Sequence, residues 1–192
     1  MTTAARSSTS TASSPLASPQ PTPLVVPVTE LLRAPASRRA VQAEVPAAGL
    51  TMADSHVPDG APITVDVVLE SLSDGITVVG RVTAPWEAEC RRCLGPARGL
   101  IDAEIDELYQ QVPTSDEAFT FDGELLDLGQ MVRETLLVEL PRTPVCRPDC
   151  AGLCAVCGAD RNATDCGHDA APADHRWSAL EDLRLELPDP EQ

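Results

Sequence analysis

The chain has 192 residues, enough for one domain with a hydrophobic core and some appendages. Its 30 acidic and 14 basic residues give a net charge of −16, which disfavours broad electrostatic binding to nucleic acid and favours a basic protein partner. Aromatic residues make up only 3% of the sequence, so surfaces that stack on bases are scarce. The sequence shows neither an apolar run of about 18 residues nor a signal-peptide core, and we expect a cytoplasmic protein without a membrane span.

The N-terminal segment, residues 1–22, consists almost entirely of Ser, Thr, Ala and Pro. This composition buries too little apolar surface to offset the entropy of ordering, so we expect a disordered tail. A β-rich body is expected over residues 23–145. It begins with a short strand at Val25 and Val26, beside the edge residue Pro27, and a helical turn that Thr29 can cap.

Alternation of apolar and polar residues predicts the next strands. A half-buried strand is expected over residues 41–45, and a loop over residues 48–61, where Gly and Pro recur. Residues 63–69 and 76–82 alternate in the same way and are separated by an Asp-Gly turn, which predicts a β-hairpin. We expect Pro85 to end the second strand of this hairpin.

Residues 99–111 predict a further strand with an acidic outer face formed by Asp102, Glu104 and Asp106. Apolar residues at helical spacing predict a helix over residues 128–140. Residues 100–140 contain eleven Asp or Glu and a single Arg. This charge has two readings: a solvated face that keeps the protein in solution, or a docking surface for a cationic partner.

The most specific stretch is residues 146–169, which holds five of the seven cysteines. Cys154 and Cys157 are two residues apart and precede Gly158, the pattern of a metal knuckle in which both sulfurs reach one ion at about 2.3 Å. Reduced cytoplasmic thiols favour a metal over disulfides, and the coil-like flanks do not suit a thioredoxin-like redox pair. A reduced knuckle without metal is the remaining alternative to a zinc site. We expect about one zinc ion per chain, with candidate ligands Cys146, Cys150, Cys154, Cys157, Cys166 and His168.

Three of these candidates, Cys154, Cys157 and Cys166, are the preferred ligands, with the fourth taken from Cys150, Cys146 or His168. A second pair, Cys90 and Cys93, follows the predicted hairpin. It has three readings: half of a second metal site, ligands for the first site, or structural cysteines in a tight turn. The neighbouring Arg91, Arg92 and Arg98 form the most basic patch of this acidic chain.

The last segment, residues 170–192, predicts a helix from His175 to about Leu185 that packs its apolar stripe on the body, followed by an acidic tail. The predicted fold class is therefore α+β. It comprises an antiparallel β-rich body with one main helix, a cysteine-rich metal knuckle and a C-terminal helix.

Four stretches together resemble the YceD-like family, the large ribosomal RNA subunit accumulation proteins of bacteria and plastids. They are the Cys-Arg-Arg-Cys-Leu run at residues 90–94, the helix that ends in Leu140-Pro141, the cysteine-rich residues 146–162, and the final helix that begins at His175-Arg176-Trp177. His168 stands where many members have a second Cys, which suits a ligand role because His can replace Cys at zinc. His175 stands where the family often has Pro.

The resemblance implies a non-enzymatic role in accumulation of the large-subunit ribosomal RNA. The implied partner is a basic large-subunit ribosomal protein or a pre-ribosomal particle, with ribosomal RNA contacted indirectly. Two alternatives come from other functional classes: a zinc-dependent RNA-processing enzyme, and a direct RNA-binding module that uses Arg91, Arg92 and Arg98. The sequence contains no nucleophile elbow, phosphate loop or metalloprotease motif that would indicate catalysis.

Overall fold

The structure is a computed structural model that describes residues 24–113 and 118–168. The predicted N-terminal tail and the predicted C-terminal helix lie outside these described residues. In chain order the elements are β1 (Val25–Pro27), α1 (Thr29–Arg33), β2 (Arg38–Pro46), β3 (Thr51–Met52), β4 (Ser55–His56), β5 (Pro62–Ser71), β6 (Ile76–Glu89), β7 (Pro96–Gln110), β8 (Phe119–Thr120), β9 (Leu125–Asp127) and α2 (Gly129–Glu139).

Seven of the strands form one sheet around β6, which pairs antiparallel with β5, β7 and β4. β2 extends the sheet beyond β5, β3 beyond β4, and β8 lies parallel to the end of β7. β1 and β9 form a separate two-stranded sheet. The described residues form largely antiparallel sheets with two helices, which confirms the predicted α+β class.

The predicted hairpin is confirmed as β5 and β6, in a register that pairs Val65 with Val82 and Leu69 with Val78. These side chains are buried, since alternate residues of each strand face the core. At the turn, the amide of Leu72 donates to the carbonyl of Gly75 over 2.8 Å. The period of two in the sequence therefore gave the correct face for both strands.

The second strand of the hairpin is longer than expected. Pro85 does not end its strand, because β6 continues to Glu89 and stays paired with β7. On the other flank of β6, pairing with β5 ends at Thr83 and pairing with β4 begins at Glu87. Pro85 lies between these two residues, where that flank of β6 is unpaired and proline is tolerated.

The predicted loop at residues 48–61 contains the short strands β3 and β4. Each is two residues long, which is too short to show a hydrophobic period. Their turn contains Ala53 at φ 52°, where a glycine would have been the usual sequence signal.

The core lies between the inner face of the large sheet and α2. The bounds of α2 confirm the helix predicted over residues 128–140. Met131, Val132 and Leu136 of α2 are buried, and the Tyr109 hydroxyl donates to the Asp127 carbonyl at 3.2 Å just before the helix. Burying one side chain such as Leu136 contributes about 1.5–3 kcal/mol. This core fixes α2, and α2 in turn sets the direction in which the cysteine-rich segment leaves the body.

β6 and β7 form a long two-stranded ribbon that extends past the end of β5. Their pairing is continuous from Ile76 and Tyr109 to Glu89 and Pro96. The turn at the far end of the ribbon contains the Cys90–Cys93 pair. The ribbon therefore carries these two thiols to the end of the sheet, beside the segment that follows α2.

Candidate metal centres

Four thiols meet at the far end of the ribbon, and we call them the inner cluster: Cys90, Cys93, Cys146 and Cys150. Cys90 and Cys93 come from the turn between β6 and β7, whereas Cys146 and Cys150 follow α2. The four sulfur atoms lie within 4.8 Å of one another. The Sγ atoms are 3.8 Å apart between Cys90 and Cys150 and 3.7 Å apart between Cys93 and Cys146.

These separations fit a tetrahedral metal centre. Four thiolates about 2.3 Å from one zinc ion would lie about 3.8 Å from one another, whereas a disulfide bond is about 2.05 Å long. All seven cysteines are free. The donor set of four sulfurs is also typical of structural zinc sites. Both distances and donor chemistry therefore fit a metal ion.

A second group, the outer cluster, consists of Cys154, Cys157, Cys166 and His168, whose ligand atoms also lie within 4.8 Å of one another. All four come from a short stretch of the chain. Cys154 is buried, but Cys157 and His168 are exposed. Three sulfurs and one imidazole nitrogen are again a zinc-type donor set, here close to solvent.

The two Cys-x-x-Cys turns have the same backbone hydrogen bonds. The amide of Cys90 donates to the Gly95 carbonyl (2.7 Å), and the amide of Leu94 donates to the Cys90 carbonyl (2.9 Å). In the outer cluster, the Cys154 amide donates to Ala159 and the Gly158 amide to Cys154, both over 2.8 Å. The same knuckle therefore occurs twice in the chain.

The position after the second cysteine of each knuckle has a positive φ, 57° at Leu94 and 74° at Gly158. Glycine adopts this conformation without strain, whereas leucine rarely does. The left-handed residue directs the following backbone under the two sulfurs. Leu94 shows that the Cys90–Cys93 turn keeps this geometry even where the sequence lacks glycine.

The first thiol of each knuckle has a lowered pKa. A backbone hydrogen bond from Cys93 lowers the pKa of Cys90 to about 6 against the effect of desolvation. A backbone hydrogen bond from Cys157 likewise lowers the pKa of Cys154 to about 6. Burial, together with hydrogen bonds to neighbouring thiols, raises the pKa of Cys146 to about 12. The knuckle backbone thus favours the thiolate form, which is the form that binds a metal.

Arg92 joins the inner knuckle to the segment after α2. Its guanidinium Nη1 donates to the carbonyls of Pro148 (3.0 Å) and Cys150 (3.1 Å). In return, the amide of Leu153 donates to the Arg92 carbonyl over 2.9 Å. Gly152, at φ +71°, leaves room for this approach, since a Cβ there would lie 3.0 Å from the Arg92 oxygen.

The inner cluster packs against the body. Buried Cys90, Ala97 and Cys150 form a small apolar group with Trp86 and Val145. Trp86 is paired across the ribbon with Gly99, where an added Cβ would come within 2.6 Å of the indole Nε1. The absence of a side chain at Gly99 therefore gives the Trp86 ring its position beside the cluster.

The structure places all six candidate ligands of the sequence analysis in these clusters, but it divides them. Cys146 and Cys150 belong to the inner cluster, and the other four candidates form the outer one. Cys90 and Cys93 complete the inner cluster, as expected if this pair forms half of a second metal site. The sequence signal for this role was the repeated knuckle, two cysteines two residues apart with a glycine close behind.

The basic patch is only partly available as a surface. The Arg92 guanidinium bonds to backbone carbonyls, and Arg98 forms an ion pair with Glu87 at 3.3 Å. Two of the three arginines are thus occupied within the protein. None of the helices within residues 24–113 and 118–168 has the length and apolar character needed to cross a bilayer.

Relatives of this chain include an uncharacterized protein of Mycobacterium tuberculosis, 37% identical over 134 residues, which are 66% of this chain and 64% of the relative. An uncharacterized protein of Mycobacterium leprae is 35% identical over 170 residues, 84% of this chain and 77% of the relative. The chain thus spans less than two thirds of the length of the M. tuberculosis relative. No solved structure matches this chain.

A plant protein is a more distant relative. The large ribosomal RNA subunit accumulation protein YCED homolog 1, chloroplastic, of Zea mays is 25% identical over 160 residues, 66% of this chain and 55% of the relative. The family model described as "Large ribosomal RNA subunit accumulation protein YceD" matches residues 78–184, from β6 through both cysteine clusters. Because this match covers more than half of the sequence, the chain belongs to the YceD family.

Proposed function

We propose that this protein is a non-enzymatic ribosome-biogenesis factor that binds a basic large-subunit ribosomal protein or a pre-ribosomal particle. Its family description and the name of the maize relative support a role in accumulation of the large-subunit ribosomal RNA. The charge of −16 makes a basic protein a better partner than bare RNA. The observation that carries the proposal is the charge on the outer face of the large sheet.

The carboxylates of the outer face occupy neighbouring strands. The register places Glu44 of β2 and Asp66 of β5 on the same face as Asp106 of β7. All three side chains are exposed. The other carboxylates of this face are Glu70, Asp102 and Glu104.

The two arginines of this face do not neutralise it. Arg81 pairs with Asp102 at 2.6 Å and with Glu104 at 3.3 Å, and Arg38 pairs with Glu70 at 2.9 Å. Within the described part of the chain, Glu44, Asp66 and Asp106 form no ion pair. Asp66 accepts a hydrogen bond from the neutral side chain of Gln42 at 3.2 Å, which leaves its charge uncompensated. The negative charge of these three carboxylates therefore remains to attract a cationic partner.

An apolar strip lies among these charges. Val68 is 40% exposed and Val79 is 49% exposed, and the two residues pair directly across β5 and β6. A surface with an apolar centre and a charged rim resembles a protein interface more than a purely solvated face. Aliphatic parts of Arg or Lys side chains can pack on such a strip while their charged groups reach the carboxylates.

We propose zinc as the metal and a structural role for it. Each cluster offers four protein ligands, the composition of structural zinc sites, whereas catalytic zinc sites use three protein ligands and keep a position for water. This supports a binding function over a zinc-dependent RNA-processing enzyme. The metal would hold the end of the sheet and the cysteine-rich segment together.

The test is a triple variant, Glu44→Gln, Asp66→Asn and Asp106→Asn, which leaves the Arg81 and Arg38 ion pairs intact. The probes are purified large-subunit ribosomal proteins free of RNA, and separately naked ribosomal RNA. We expect the wild type to capture basic proteins at low salt and the variant to capture them at least tenfold more weakly, since opposite charges steer and stabilise such complexes.

The matched control neutralises three exposed carboxylates away from this face: Asp54→Asn, Glu124→Gln and Glu139→Gln. This control should bind like the wild type. Equal capture by both variants would contradict the proposed surface. Tight, steeply salt-dependent capture of naked ribosomal RNA by the wild type would instead favour RNA binding through Arg91, Arg92 and Arg98.

A further inference from the structure

We propose that the two clusters hold two zinc ions per chain, and that Asn162 makes zinc binding at the two centres cooperative. The inference concerns metal binding alone and is independent of the ribosomal role. It rests on the contacts of one side chain, which belongs to the outer cluster by sequence and touches the inner cluster in space.

Asn162 lies in the loop between Cys157 and Cys166, both ligands of the outer cluster. Its Nδ2 donates to the Sγ of Cys150, an inner-cluster thiol, at 3.4 Å. Its Oδ1 accepts from the backbone amide of Ala151 at 2.8 Å and from the Arg147 guanidinium at 2.6 Å. One side chain thus binds both a ligand sulfur and the backbone that carries this sulfur.

The position of Asn162 depends on a tight turn around Asp160. The Asp160 carboxylate accepts from the backbone amide of Asn162 at 2.9 Å and from its Nδ2 at 2.6 Å. The Asp160 carbonyl accepts from the amides of Ala163 and Thr164 at 3.1 and 3.0 Å. These bonds hold the side chain only while the loop itself is closed.

Closure of this loop needs the outer metal. Residues 158–168 contain no buried side chain, so hydrophobic burial does not offset the entropy of ordering them. A zinc ion bound to Cys157 and Cys166 would join the two ends of the loop and lower this entropic cost. Metal at the outer cluster therefore orders the turn that presents Asn162 to Cys150.

The hydrogen bond from Asn162 favours metal at the inner cluster. Four thiolates around one Zn²⁺ leave a net charge of about −2 on the centre, and an N–H donor stabilises charge on a ligand sulfur and fixes its orientation. Because thermodynamic coupling is reciprocal, zinc at the inner cluster must strengthen binding at the outer cluster equally.

The first experiment measures zinc in the full chain, purified under reducing conditions without added metal. We expect two zinc ions per chain, and one zinc ion in the variant Cys157→Ser/Cys166→Ser. A wild type with one zinc ion and freely reactive outer thiols would overturn the two-centre proposal. A decrease in the mass of the protein that shows disulfide formation by the cysteines would overturn the two-centre proposal as well.

The second experiment tests the coupling with Asn162→Ala, which leaves every ligand of both clusters in place. Co²⁺-loaded protein is competed against a chelator, since charge-transfer absorption distinguishes a centre with four thiolates from one with three. We expect two metal ions in this variant and an inner-centre affinity about tenfold lower, at the lower end of the range for groups that orient a ligand. The control Thr164→Ala changes an exposed neighbour in the same loop and should leave this affinity unchanged.

A double-mutant cycle completes the test. Cys157→Ser/Cys166→Ser should lower the inner-centre affinity about tenfold in the wild-type background. The same change should have no further effect when Asn162 is already Ala, because both changes remove one interaction. Additive effects would show that Asn162 does not carry the coupling and would overturn that part of the proposal.

Discussion

The sheet body and the cysteine-rich segment, residues 146–168, are ordered by different forces. In the body, alternate residues of β5, β6 and β7 are buried in one continuous apolar core with α2. In residues 151–168, only Gly152 and Cys154 are buried, and the regular pairing is a single bridge between Leu153 and Asp160. The body can fold by hydrophobic burial, whereas the segment has too little apolar surface to do so.

This difference indicates where a bound metal ion would contribute most to stability. The inner cluster lies at the boundary, with two cysteines from the ribbon and two from the segment, and hydrogen bonds of Arg92 cross the same boundary. The outer cluster lies entirely within the segment. We therefore expect metal to stabilise the segment and its attachment, and the core to stabilise the body.

Metal removal should have the largest effect on this comparison. We expect a strong chelator, with reductant present, to abolish the amide protection of residues 146–168 while β5, β6 and β7 remain protected. The reason is that the free energy of zinc binding is also the free energy of folding for such a segment. Hydrogen exchange followed by mass spectrometry measures both regions in one sample. Persistent protection of the segment, or simultaneous loss in the sheet, would contradict the division.

A core substitution should have the opposite pattern. Leu69 of β5 is fully buried, and Leu69→Ala should lower the free energy of unfolding of the body by about 2–5 kcal/mol through lost burial and a cavity. Its zinc content should not change. Val68→Ala, one position along the same strand but 40% exposed, is the control and should cost under about 1 kcal/mol. Denaturant unfolding and elemental analysis test both, and zinc loss in Leu69→Ala would show that the two regions do not fold independently.

The smallest effects should come from the left-handed residues of the two knuckles. An added Cβ at Gly158 would have no atom within 4 Å, so Gly158→Ala adds only backbone strain. This strain should weaken the free energy of metal binding at the outer cluster by about 1 kcal/mol. Leu94→Gly should relieve backbone strain at the inner knuckle and strengthen metal binding at the inner cluster by about 0.5–1 kcal/mol. Leu94→Ala separates this from the loss of the side chain, because Ala keeps the strain. Chelator competition measures each change, and equal effects of Leu94→Gly and Leu94→Ala would exclude a backbone origin.

Much of the fold could be read from the sequence because its signals are local. The period of two marked the β5–β6 hairpin and its buried face, and helical spacing marked α2. Strand alternation also placed Asp102, Glu104 and Asp106 on an outer face, and these residues are exposed in the structure. Strand alternation and helix periodicity depend only on neighbouring residues and the difference between core and solvent.

The sequence also identified Cys154, Cys157 and Gly158 as a knuckle, since two thiols separated by two residues form one by local backbone geometry. It did not identify which cysteines share a centre. Both knuckles have nearly the same local pattern, so nothing local selects the partner of either one.

Tertiary structure decided that question. Cys90 and Cys150 are 60 positions apart, and they meet because β6 and β7 continue past Pro85 and the chain leaves α2 toward the same end of the sheet. Arg92, which the sequence offered as part of a basic surface, is bound there to the Pro148 and Cys150 carbonyls. The physical reason is that ligand grouping and charge availability depend on distances between remote segments, which the packing of the core sets and local sequence does not.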